Sequence, residues 1–290
     1  MRAEIEKAVR LLQQEDEKSL EQALSLLQNT VFSFSMRVCG QREDAEDTMQ
    51  EVLARSVPYL PKFESARALV VWLYKVARSR CLMSRRRSKF APPRELSLEE
   101  LMPVRGEIEQ LRSETINPEA FAIRSEEAGL VRKAIQKLPP QYRIVLVLRD
   151  MEGLTDDEVA EIVGLRPGTV RVRLHRARLF VRRELTKSLS ASRSTVPAKK
   201  DRPPSRPARC RAMFAELSNY LDEKLDESMC EELEKHMDGC EPCKAFVKTL
   251  EATIETLHRH PGATPSAAQT ARLRKELMLQ YERAIAGAAR

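Results

Sequence analysis

Aromatic residues make up 5% of this 290-residue chain, tryptophan occurs once, and there are nine glycines. So few aromatics, with little period-two alternation of β-branched residues, speak against strands and point to an all-helical protein. No apolar run approaches the ~18 residues that a membrane span needs. The opening Met1-Arg-Ala-Glu-Ile-Glu-Lys lacks the apolar core of a signal segment. The expectation is a soluble, cytoplasmic protein with no membrane partner. Six cysteines do not make a disulfide scaffold in that compartment. Cys39 and Cys81 fall on helical patterns and read as buried structural thiols. No nucleophile–base set and no phosphate-cradling loop occurs, so the chain is not expected to be an enzyme.

What is present is Ala, Leu, Glu and Arg at helical spacing, which predicts an all-α fold. The length suits two or three compact units. Residues 1–90 read as helical and end in a basic run from Arg78 to Lys89. Residues 91–116 contain Pro92, Pro93, Pro103 and scattered acids, and read as a linker. Asn117-Pro118 opens a helical block, 117–187. The Ser-, Pro- and Arg-rich stretch 188–207 reads as a flexible tether, and a third unit occupies 208–290 with an amphipathic helix near 267–287.

Charge is concentrated in one place. Between Arg166 and Lys187 stand eight basic residues and one acid, Glu184, an excess equal to the +7 of the whole chain. The preceding Thr155-Asp-Asp-Glu158 is a capping box, Gly164 a helix stop, and Pro167 a helix start. Two helices around a Gly-Leu turn, the second one basic, are the footprint of a DNA-binding helix-turn-helix. With Val170, Leu174, Ala177 and Val181 facing inward, the opposite face carries Thr169, Val172, His175 and Arg176, flanked by Arg171 and Arg173. Residues near the start of that helix are placed to reach base edges, and Arg178, Arg182 and Arg183 to reach phosphates.

The stretch Leu138-Pro-x-x-Tyr142, Arg149-Asp-x-Glu-Gly-Leu-Thr155, Glu158-x-Ala-x-Ile162 and Gly168-Thr-Val-Arg-x-Arg-Leu-His-Arg-Ala-Arg178 resembles region 4 of bacterial RNA polymerase sigma factors of the extracytoplasmic-function type. The resemblance implies that this domain reads the −35 promoter element and docks on core RNA polymerase. Position 172 is usually small and polar in that family, and here it is valine.

Upstream, Asp44-x-x-Asp47-x-x-Gln50-Glu51 places Asp44, Asp47 and Glu51 on one helix face, with Gln50 beside them. Phe63, Val71-Trp-Leu-Tyr-Lys-Val-Ala-Arg78 and Arg85-Arg-Arg87 follow at the spacing of region 2 of the same family. The resemblance implies that the acidic helix binds the polymerase clamp and that the Trp-Leu helix captures the melted −10 strand. Lys75, Arg78 and Arg80 would line the strand backbone, and Phe63, Trp72 and Tyr74 would be candidate platforms for an unstacked base. By its apolar phase alone, Trp72 also reads as a core anchor. The family places the linker 91–116 in the polymerase cleft.

In the last unit, Cys210, His236, Cys240 and Cys243 form a Cys…His-x3-Cys-x2-Cys set, with His236 and Cys240 one helical turn apart. Three thiolates and one imidazole are the donors of a closed tetrahedral Zn2+ site. No His-Glu-x-x-His pattern accompanies them, so a hydrolytic role is not expected. The stretch Cys210-Arg-x-Met-x-x-x-Leu-Ser-x-Tyr-Leu-Asp222-x-x-Leu225 with Glu234-x-His-x-x-x-Cys-x-x-Cys243 resembles the zinc-binding anti-sigma domain, which implies an intramolecular contact that regulates the sigma regions. A reading of another class is a stand-alone helix-turn-helix regulator with a zinc-stabilised sensor domain. That regulator would bind promoter DNA tightly without polymerase, whereas a sigma factor would need it.

Overall fold

The structure is a computed structural model that describes all residues except 1, 15, 64, 87–94, 103–127, 192–207, 239 and 289–290. Among the described residues the regular elements are helices, as the composition predicts. They are α1 (Arg2–Leu12), α2 (Glu17–Cys39), α3 (Arg42–Ser56), a 3-10 helix (Val57–Lys62), α4 (Ala66–Arg86) and α5 (Leu98–Leu101). Then come α6 (Ala128–Lys137), α7 (Pro140–Leu146), a π-helical turn (Val147–Met151), α8 (Asp156–Val163) and α9 (Pro167–Ala191). The last four are α10 (Ala208–Leu221), α11 (Glu227–Asp238), α12 (Glu241–Arg259) and α13 (Ala267–Ala288). No helix among the described residues is long and apolar enough to cross a membrane.

These helices fall into two compact units that do not follow the order of the chain. One comprises residues 1–93, 143–167 and 261–290, and the other residues 94–142 and 168–260. The Asn117-Pro118 helix start and most of both linkers lie outside the described residues.

In the first unit α2 is the central element. Asp16 starts it by accepting the Ser19 N–H at 2.9 Å, and Gly40 ends it in the left-handed region at φ 84°. The helix packs against α1, α3 and α4 on its apolar sides, burying Leu24, Leu27, Val31 and Phe34 completely or nearly so. Each such side chain contributes about 1.5–3 kcal/mol of hydrophobic stabilisation. It also buries Gln28, because α13 covers a further side: Gln28 donates to the Thr270 carbonyl at 3.3 Å, and at the exposed edge Arg274 pairs with Glu21 at 3.0 Å. A Cβ on Gly262 would lie 2.7 Å from Ser33 Oγ, so a larger residue where the chain enters α13 would require that hydroxyl to shift. Cys39 and Cys81 are not separate thiols. The packing of α2 on α4 brings their Cα atoms to 5.6 Å, a separation a disulfide spans, and the two are bonded.

The second unit is built on α9. Val170, Leu174, Ala177 and Val181 are all buried, as the helical stripe predicts. Part of the stretch read as linker is structured: α5 forms, Leu96 and Leu101 are buried, and the Leu96 N–H donates to the Tyr142 hydroxyl at 3.1 Å. Leucines at 96, 98 and 101 supply an apolar side that the proline content of this stretch obscures. The rings of Phe214 and Phe246 meet at a tilt, 5.1 Å between centroids, where α10 and α12 come together, and α11 packs on α12.

Candidate nucleic-acid interface and zinc site

The turn between α8 and α9 is set locally. Thr155 Oγ1 accepts the Glu158 N–H at 3.2 Å, while Glu158 Oε2 accepts the Thr155 N–H at 2.9 Å. This reciprocal box satisfies two helix-end donors. Gly164 adopts φ 70°, and the N–H groups of Gly164 and Leu165 both donate to the Ala160 carbonyl. Pro167 then opens α9.

The basic face of α9 is divided. Thr169, Arg171 and Val172 are exposed, and Arg173 and Arg176 are half-buried. His175, Arg178 and Arg182, which the helical wheel places among the outward or flanking groups, are buried instead. His175 Nδ1 lies 2.8 Å from Ser218 Oγ, with its ring edge-on to Phe214. Arg178 makes a bidentate pair with Asp222, both N–O distances being 3.0 Å. The Arg182 Nε–H donates to Thr249 Oγ1 at 2.8 Å, and its guanidinium sits 3.7 Å over the Phe246 ring. Burial, reinforced by the nearby Arg178 charge, lowers the His175 pKa to about 4, so the imidazole is neutral at pH 7. Ser218, Asp222 and Thr249 were missed by sequence reasoning. Asp222 stands within the Leu217-Ser-x-Tyr-Leu-Asp222 segment of the anti-sigma resemblance, a signal without an assigned partner.

In the first unit the cations of α4 are also engaged. Lys75 pairs with Glu161 at 3.0 Å, Arg78 donates to the Ile162 carbonyl at 3.3 Å, and Arg80 pairs with Glu51. Trp72 is half-buried between Tyr59 and Phe63, with ring centroids 6.1 and 6.0 Å away, so these aromatics form one cluster. Tyr59, which is half exposed, is a member that sequence reasoning did not single out. Tyr74 does not belong to it. Its ring is buried against Phe34, and its hydroxyl donates to Glu152 at 2.7 Å. The other Glu152 oxygen accepts from Arg37 at 2.7 Å. Burial raises the Glu152 pKa, an effect the Arg37 charge opposes, and burial beside that carboxylate raises the Tyr74 pKa well above its usual value.

On α3 the acidic face is open. Asp47 and Gln50 are exposed and Asp44 is partly so. Glu51 is partly covered through pairing with Arg55 and Arg80, and the apolar face of Met49, Val52 and Leu53 is fully buried.

His236 on α11 and Cys240 and Cys243 at the start of α12 converge, with their ligand atoms within 4.8 Å of one another. The two sulfurs are 3.3 Å apart, and Cys243 Sγ is 3.6 Å from His236 Nε2. The Cys243 N–H donates to the Cys240 carbonyl at 3.0 Å, a turn that folds the second thiol back beside the first. Two sulfurs and an imidazole nitrogen in this arrangement fit zinc. Cys210 lies in α10, and its side chain is outside the described residues.

Comparison with known proteins agrees with this geometry. Residues 24–90 match the family described as sigma-70 region 2, residues 128–181 match sigma-70 region 4, and residues 210–244 match a zinc-finger family. The ECF RNA polymerase sigma factor SigW of Bacillus subtilis is 26% identical over 183 residues, 62% of this chain and 96% of that protein. SigE of Mycolicibacterium smegmatis is 31% identical over 161 residues, 55% of this chain and 59% of its own. ShbA of Streptomyces griseus is 30% identical over 137 residues, 47% of this chain and 69% of its own. The two sigma regions in order, followed by the zinc-finger segment, establish that the chain belongs to the extracytoplasmic-function sigma factors and carries an anti-sigma-like zinc-finger domain after its sigma regions.

Proposed function

We propose that this sigma factor brings core RNA polymerase to its promoters and that residues 208–290 restrain it in cis. Asp44, Asp47, Gln50 and Glu51 are assigned to the polymerase. Phe63, Trp72, Lys75, Arg78 and Arg80 are assigned to the melted −10 strand. Thr169, Arg171, Val172, Arg173 and Arg176, joined by His175 and Arg178 on release, are assigned to the −35 element. The protein acts by binding alone, in the cytoplasm and without a membrane partner.

One observation carries the restraint: the bonding of His175, Arg178 and Arg182 to Ser218, Asp222 and Thr249. A guanidinium paired bidentately with a carboxylate is not available to a phosphate. Linkage on one chain also keeps even a weak contact populated, because a short tether gives a millimolar effective concentration. Truncation after Leu189 is expected to raise promoter-specific transcription by purified core polymerase. Unchanged or reduced transcription would overturn the restraint and favour a docking role for the zinc domain.

Cys210, His236, Cys240 and Cys243 are proposed to hold one structural Zn2+. Bound zinc would cross-link α10, α11 and α12, and α11 needs such a tie most, since Leu233 is its one buried residue among those described. Metal analysis of the purified chain is expected to find one zinc, lost in Cys240→Ser. A metal-free chain of unchanged helicity would remove this assignment.

A further inference from the structure

Among the described residues three large hydrophobic side chains are left exposed, and Val172, at 51%, is one of them. Its setting makes it anomalous. Every other apolar residue on α9 from Val170 to Leu185, apart from the half-buried Phe180, is buried. Val172 lies off that stripe, in the second turn of the helix, between the exposed Arg171 and the half-buried Arg173. A β-branched residue at an exposed helical position is a poor helix former, and among the described residues none covers more than about half of it in return. Thr169, three residues before it and also exposed, and Arg176, four residues after it, share its side of the helix.

Valine has no donor or acceptor, so it reads none of the hydrogen-bonding edges of a base pair. The apolar group that bases present in the major groove is the C5-methyl of thymine. We propose that Val172 is a specificity-determining residue that recognises a thymine methyl in the upstream promoter element, while Thr169 and the neighbouring arginines supply polar contacts. Unlike His175, Val172 needs no release from another segment before it can act. The inference rests on the reading of α9 as the −35-binding helix.

The test uses holoenzyme assembled from core polymerase and the full chain. Promoters are selected from a library randomised across the upstream element, for wild type and for Val172→Ser. Each thymine of a wild-type-selected element is then replaced singly by deoxyuridine, which removes only the methyl. At one thymine the wild-type holoenzyme is expected to lose about fourfold in initiation, the equivalent of one buried methyl. Val172→Ser is expected to lose the preference for thymine at that position and to be insensitive to the deoxyuridine replacement. Because Val172 is exposed, both proteins should show the same helicity and melting. Equal sensitivity of the two holoenzymes to every replacement, or no sensitivity in the wild type, would overturn the proposal. Failure to select any promoter by wild-type holoenzyme, shared by the chain truncated after Leu189, would instead count against the reading of α9 as the −35-binding helix.

Discussion

The acidic face of α3 and the basic face of α9 are both charged stripes on amphipathic helices, and the fold treats them differently. Asp47 and Gln50 stand in solvent, and the pairs that Glu51 makes are partly exposed. On α9, Arg178 is fully buried and Arg182 nearly so, each with a designated partner. The contrast follows from desolvation. An exposed carboxylate keeps its water and needs nothing, whereas a buried guanidinium is tolerated only where a carboxylate, a hydroxyl or an aromatic face replaces that water. The face assigned to polymerase is therefore open in the folded chain, and much of the face assigned to DNA is occupied.

Substitution at the two helices should separate them sharply. Asp222→Ala removes the carboxylate from a guanidinium with 0% side-chain exposure, and the expected loss is about 3–5 kcal/mol of the stability of the second unit. In denaturant titration this is a large shift, and in transcription it should raise activity of the full chain toward that of the truncated one. Asp47→Ala should change stability by no more than about 0.5 kcal/mol, since the side chain is exposed, while weakening assembly with core polymerase. Equal stability effects at the two positions would erase the contrast.

A smaller, graded effect is expected from pH. His175 is neutral in the fold, with a pKa lowered to about 4 from 6.5. The unfolded state then binds more protons between these values, so stability of the His175 contact is complete above about pH 6.5 and declines as pH falls toward 4. Hydrogen-exchange protection of α9 in Val170–Leu185, followed from pH 7 to 4.5, should show this decline. In His175→Gln the same segment should lose that part of the pH dependence. A wild-type profile identical to that of the variant would refute the role of His175.

Much of the local structure was legible in the chain before it was folded. The Thr155–Glu158 box, the Gly164 stop, the Pro167 start and the buried stripe of α9 depend on residues within a few positions of one another. The His236, Cys240 and Cys243 cluster is likewise short-range, since one helical turn and one tight turn bring it together. Short-range rules of capping and periodicity suffice for these. The linker was read less well, because prolines masked the leucines that build α5.

The chain alone thus determined an all-helical protein, the helix ends at Thr155, Gly164 and Pro167, the helix-turn-helix, the zinc-type ligand spacing and the two sigma motifs. Only the tertiary structure decided which charges are free. Arg37 and Glu152, 115 residues apart, and Arg178 and Asp222, 44 apart, meet because of packing that no local pattern encodes. The same packing joined Cys39 to Cys81 and withdrew Tyr74 from the aromatic cluster. Periodicity tells which side of a helix is apolar, but the partner that covers the other side lies elsewhere in the chain. For that reason three polar groups of α9 turned out to be covered, and Val172, an apolar one, was left in the open.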